Sequence, residues 1–190
     1  MTSAGTERSR PVDEAEFDQL FTGFRYTAFR LETLQRYDVD YEKEPFRRFL
    51  AGEPWFFPDQ EEWAEELRDG IRRGRTYRRV HVVTEPLTDY VRFECAWAYR
   101  PNVAAGEDVR ILPVAEGDWP EGLPRFDYWL FDSSRLLRMN YAPDGSMLTP
   151  ELVEDPEQIV LANLWRDRAL HLSVPFREYA ARFDSAMRPL

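Results

Sequence analysis

Seven polar residues have types and spacings that could do chemistry together: Arg30, Glu32, Arg79, His81, Tyr90, Arg92 and Glu94. Arg30 and Glu32 lie two apart in Tyr26–Leu34, whose alternating pattern is that of a strand, so they share one face. Arg79 and His81 do the same in Tyr77–Val83, with Val80 and Val82 on the opposite face. Tyr90 and Glu94 are one helical turn apart, on the side of Leu87. The set offers guanidinium groups for an anion or a planar polar ligand, an imidazole that titrates near neutrality, and a carboxylate. A glutamate on the inner stripe of a helix must be paired or face a cavity, because an unpaired buried carboxylate is costly. Arg30 or Arg79 is its expected partner. A structural salt-bridge network is the favoured reading, and no residue is assigned a catalytic role.

The other polar groupings are weaker. Asp127 and Asp132 are five apart and point to opposite faces of an unbroken strand, which spoils them as a carboxylate pair. Asp132 reads as a turn residue, and Asp127 as a cap or an arginine partner. Asn163, Asp167 and His171 recur every fourth residue, more in the manner of a solvated helix face than of a ligand stripe. The single Cys95 lies among apolar residues and reads as a small buried hydrophobe. No Cys/His cluster has zinc spacing, and no nucleophile elbow, P-loop, dinucleotide fingerprint or phosphodiesterase motif occurs. No metal and no cofactor are expected.

The elements that must position these residues follow from periodicity and turn chemistry. Residues 1–12 read as a flexible tail, and 13–190 as one α/β domain. Helices are expected from Asp13, over 43–51, and from an Asp59 cap that places Trp63, Leu67 and Ile71 inward. Tyr77–Val83, a helix with Pro86 in its first turn, and Asp108–Val114 form a right-handed β-α-β unit with parallel strands. Tyr128–Phe131, Arg135–Tyr141 and a further strand within MLTPELV, residues 147–153, form an antiparallel meander. A helix starts at Asp155-Pro156 and ends before Pro175, and a short one follows. The fold class is therefore α/β, a mixed sheet flanked by helices.

Net charge −10, from 35 acidic and 25 basic residues, repels phosphate backbones and argues against direct nucleic-acid binding. Charges interrupt every apolar run, so no membrane span is expected, and the N-terminus lacks an apolar signal core. A cytoplasmic protein is the expectation.

Several stretches in order carry a resemblance: FRYTAFRLETLQRYDV, RRVHVVTEPLTDYVRFE, NVAAGEDVRIL, FDYWLFD and LHLSVPFREYAA. Together they resemble the actinobacterial domain-of-unknown-function family 6879, over about Phe17 to Tyr179. FDYWLFD keeps Asp127 and Trp129 but has Tyr128 where that family commonly shows Phe. The resemblance implies an accessory protein often encoded beside a helix-turn-helix regulator, with no catalytic residues to carry over. A phospholipase D-like fold without active-site chemistry is a weaker analogy, resting on strand order. Two functions follow. One is a non-catalytic regulatory module that binds a small ligand or a helix-turn-helix regulator protein, to which an acidic surface is complementary. The other is a small hydrolase or transferase with a cleft formed by Arg79, His81 and Glu94.

Overall fold

The computed structural model describes residues 8–183. Its centre is β2 (Thr27–Glu32), parallel to β3 (Thr76–Glu85) and antiparallel to β5 (Asp127–Phe131). Beyond β3 lie β4 (Asp108–Ala115), parallel to it, and the two-residue β8 (Val174–Pro175). Beyond β5, the antiparallel neighbours are β6 (Arg135–Met139), β7 (Glu151–Val153) and β1 (Ser9–Pro11). The order of this eight-stranded mixed sheet is β1-β7-β6-β5-β2-β3-β4-β8. The β-α-β unit, the meander and all five expected strands are present, with ends shifted by one or two residues.

Period-two alternation divides the sheet cleanly. Phe29, Leu31, Val80, Val82, Tyr128 and Leu130 point to one face, where Ala162 and Ala169 of α6 (Pro156–Leu172) pack on them. Asp155 caps α6 by accepting from the Glu157 N–H, and Pro156 takes the first turn, where no N–H is needed. The opposite face is covered by α1 (Glu14–Gly23) and α3 (Pro58–Arg72), through Leu20, Phe24, Ala64 and Leu67. Beside them runs a helix in three parts: α4 (Asp89–Phe93), a π-helical stretch Glu94–Tyr99, and α5 (Arg100–Ala105). Gly106, at φ 110°, ends α5 and turns the chain into β4. Over α4 and the π stretch lies α2 (Asp40–Leu50), whose Phe49 packs with Phe93 and Trp97, together with Phe57 at the start of α3, in one aromatic cluster. The last element, α7 (Phe176–Phe183), packs Phe176 and Tyr179 on Val109 and Ile111.

Three local expectations change. Ser9–Pro11 pairs with β7, so the tail expected over 1–12 does not extend that far; residues 1–7 lie outside the described ones. The helix expected to open at Pro86 opens at Asp89, because the Thr88 hydroxyl accepts from the Val91 N–H and outcompetes the proline signal. Likewise α3 opens one residue before Asp59, at Pro58, behind an uncapped Phe57.

Candidate functional site

The register of the three central strands assembles a polar patch on the α1/α3 face. Arg30 stands beside Arg79 on one side and Trp129 on the other; Glu32 stands beside His81. Asp127 occupies the strand position next to Tyr128, across from the Glu32 end of β2. Adjacent strands are about 4.8 Å apart, so these side chains must interact. The charges alternate accordingly. Arg30 Nη2 donates to Asp127 Oδ2 over 2.7 Å, and its Nε lies 3.5 Å from Glu32 Oε1. Arg79 donates from Nη1 to Glu32 Oε1 over 2.5 Å and from Nε to Glu107 Oε1 over 3.1 Å. Asp127 also accepts from the Thr33 N–H and hydroxyl and from the Tyr37 hydroxyl.

Over this patch stands the helix containing Glu94 and Tyr99. Two residues five apart on an α-helix point about 140° away from each other. The i→i+5 bonding of the π stretch brings such residues near one another instead, and it is why both reach the patch. Tyr99 Oη lies 2.8 Å from His81 Nδ1 and donates to Glu32 Oε2 over 2.9 Å. His81 Nε2 lies 2.7 Å from the Leu34 carbonyl oxygen, which can only accept, so Nε2 carries the hydrogen. Glu94 Oε2 lies 3.5 Å from His81 Nδ1. It is buried and has no hydrogen-bond partner among the described residues, and the same holds for Arg30 Nη1.

Burial sets the titration of this cluster. It lowers the His81 pKa, keeping the imidazole neutral with a lone pair on Nδ1. It also pushes the Glu94 carboxyl well up, and the charges of Glu32 and Glu42 push the same way. Burial acts upward on Glu32 too, but there Arg79 and then Arg30 outweigh it and hold the carboxyl below its ordinary range. Cys95 is buried and its thiol is raised, which suits a core residue and not a nucleophile.

The patch forms the floor of a cavity of about 300 Å³. Arg30, Glu32, Arg79, Glu94 and Tyr99 line its base, and Tyr37, Tyr41, Trp63, Tyr90, Trp129 and Tyr141 form an aromatic wall. Glu42 stands on the rim side, accepting a hydrogen bond from Tyr90.

Six of the seven residues singled out in the sequence therefore meet. Arg30, Glu32, Arg79, Tyr90 and Glu94 line the cavity, and His81 lies just behind its base, fully buried. Arg92 does not join them. Two residues from both Tyr90 and Glu94, it faces away and pairs with Asp89 over 3.1 Å. Glu94 is buried as expected, but its basic neighbour is His81 and not Arg30 or Arg79, which pair with Asp127 and Glu32 and with Glu32 and Glu107 respectively. Tyr99, Glu107 and Asp127 complete the network. Asp127 was legible as a possible arginine partner; Tyr99 was hidden by the π-helical offset.

These features define a mixed α/β domain with a charged, aromatic-walled cavity on one face of its sheet. The chain belongs to the family described as Domain of unknown function (DUF6879), whose model matches residues 15–181. No curated protein matches it. Among the described residues, no helix is long and apolar enough to cross a membrane.

Proposed function

We propose that this chain is a non-catalytic binding module of the cytoplasm whose cavity takes a small polar ligand, and that it serves transcription regulation beside a helix-turn-helix protein. The observation that carries the ligand reading is the cavity itself: about 300 Å³, aromatic on its walls and charged at its base. Its fixed charges are held by one another, as in a preformed binding site. Arg30 Nη1 and Glu94 Oε2 remain as a donor and an acceptor for a guest. The regulatory partner rests on the family resemblance and on the net charge of −10, which suits a basic protein surface.

A second reading, a small hydrolase or transferase, has one observation in its favour. Arg79 and Glu94 share the cavity base, with His81 directly behind them. Two assays on wild type and Glu94→Gln separate the readings. A panel of small polar metabolites, followed by thermal shift, is expected to yield a stabilising ligand whose effect is lost in the variant. Hydrolysis of generic phosphodiesters and esters is expected to stay at background. Turnover that disappears in Glu94→Gln, without a stabilising ligand, overturns the binding reading. Regulator pull-down, weakening as salt rises, tests the partner separately.

A further inference from the structure

We propose that Glu32, His81 and Glu94 form a binding site for one first-row divalent metal ion, with the Tyr99 oxygen as a fourth ligand. The inference goes beyond ligand binding and does not depend on it, and it departs from the sequence expectation of no metal. One donor atom from each of the three residues lies within 4.8 Å of the others, and all three residues are buried. Metal–ligand bonds to imidazole and carboxylate are about 2.0–2.2 Å. Donors around one ion are therefore at most about 4.4 Å apart, a few tenths of an ångström inside that 4.8 Å limit. His81 Nδ1 and Glu94 Oε2, at 3.5 Å, already stand at such a separation.

Three further features point to a cation. The first is a hydrogen count. His81 Nδ1, Glu32 Oε2 and, once it has given up its proton, Glu94 Oε2 are acceptors turned toward one place, and the Tyr99 hydroxyl brings one hydrogen to them, so an ion binds here by displacing the Glu94 proton. Glu94 Oε2, on a side chain more than nine-tenths buried, has no hydrogen-bond partner among the described residues. An ion at their centre answers all three lone pairs at once.

The second is the outer shell. A metal-bound histidine normally gives its other ring N–H to a carbonyl or carboxylate, which fixes the tautomer. His81 Nε2 already does this with the Leu34 carbonyl. Glu32, in turn, is fixed through its other oxygen by Arg79. The third is charge. Glu32, Glu94, Glu107 and Asp127 carry four negative charges when ionised, against two from Arg30 and Arg79. A divalent ion brings the buried cluster to neutrality, where burial is least costly. One nitrogen and two or three oxygen donors suit ions such as Zn²⁺ and Mn²⁺.

The test uses the full chain without an affinity tag, stripped with chelator and titrated calorimetrically with Zn²⁺ and, separately, Mn²⁺. Single-site binding of at least one ion is expected, with Kd well below about 1 mM. Glu94→Gln keeps the side-chain shape and leaves the Arg79–Glu32 pair intact. It should weaken binding by at least about tenfold, the least that loss of even an outer-shell partner costs a metal site. Asp144→Asn, in an exposed turn, serves as the control and should bind as wild type. Circular dichroism verifies that each variant is folded. His81→Ala is expected to abolish binding, and Glu94→Gln decides alone if that chain does not fold. No saturable binding of either ion below about 1 mM, or equal affinity in wild type and Glu94→Gln, overturns the proposal and leaves a proton-sharing salt-bridge network.

Discussion

Arg30 and Asp127, 97 residues apart, meet at 2.7 Å with side chains 5% and 0% accessible. Removing one partner of such a pair leaves an uncompensated charge in the sheet. Asp127→Ala should cost about 3–5 kcal/mol. Asp127 also serves Thr33 and Tyr37, which lose their acceptor in the same variant. For a chain of this size the melting temperature should fall by roughly 10 °C. Denaturant unfolding checks it, and a loss under about 1 kcal/mol would mean that Arg30 finds a new partner or water.

The Tyr99 hydroxyl bridges His81 and Glu32. Tyr99→Phe keeps the ring against Phe176, 5.9 Å away between centroids, and deletes only this bridge. The buried Glu32 carboxylate then loses a donor, at a cost of about 1–3 kcal/mol. Urea unfolding of the variant should show that loss with an unchanged m-value, because the surface exposed on unfolding is the same. A variant as stable as wild type would place a water or the Glu94 proton in the hydroxyl's role.

The sheet was largely legible because alternation is a local signal. Arg30 with Glu32, and Arg79 with His81, announce their shared face within a few residues. That the two pairs lie side by side is set by register, which depends on the path through α2 and α3 and leaves no local trace. Glu94 was placed by ordinary helical spacing from Tyr90. Tyr99 was not, because the helix changes period between them. Glu107 follows the C-cap Gly106 and looks like a solvated loop residue, yet its carboxylate is buried on Arg79. The partner of Glu94 differs from the expected one because sequence shows which charges exist, not where each side chain is aimed.

Gly70 shows how closely α3 sits on β3. A Cβ added there would run into the Tyr77 hydroxyl and lie 2.8 Å from the ring Cζ. The ring cannot easily swing away, because Phe24 and Trp63 both meet it edge-on, with centroids 5.3 and 6.1 Å from its own. Alanine in a helix interior normally gains up to about 1 kcal/mol over glycine. Here overpacking, at about 1–3 kcal/mol, should win, so Gly70→Ala should be net destabilising. Tyr77→Leu in the same chain should give Gly70→Ala back its ordinary helical gain. Calorimetric melting of the two single variants and the double variant gives the coupling. Simple additivity would show that helix and strand shift apart freely.

Glu42 supplies a pH dependence of its own. Burial raises its carboxyl to about 7; the Glu32 charge adds to this, while Tyr90 and Arg79 oppose it. In the unfolded chain a glutamate titrates near about 4.3, below the folded value. The protonated form is therefore favoured by folding. Its contribution is complete below the unfolded value and is lost as pH rises through about 7. Glu42→Gln stays neutral and still offers Tyr90 an oxygen to accept its hydrogen bond. The two chains should be about equally stable near pH 4, and the variant should gain steadily up to about pH 8, then level off. Because Glu42 is only half-buried, solvent reduces the plateau to about 1 kcal/mol, less than a dry site would give. Urea midpoints of both chains across that range measure the difference directly, and a constant offset would mean that Glu42 ionises as freely in the folded protein as in the unfolded one.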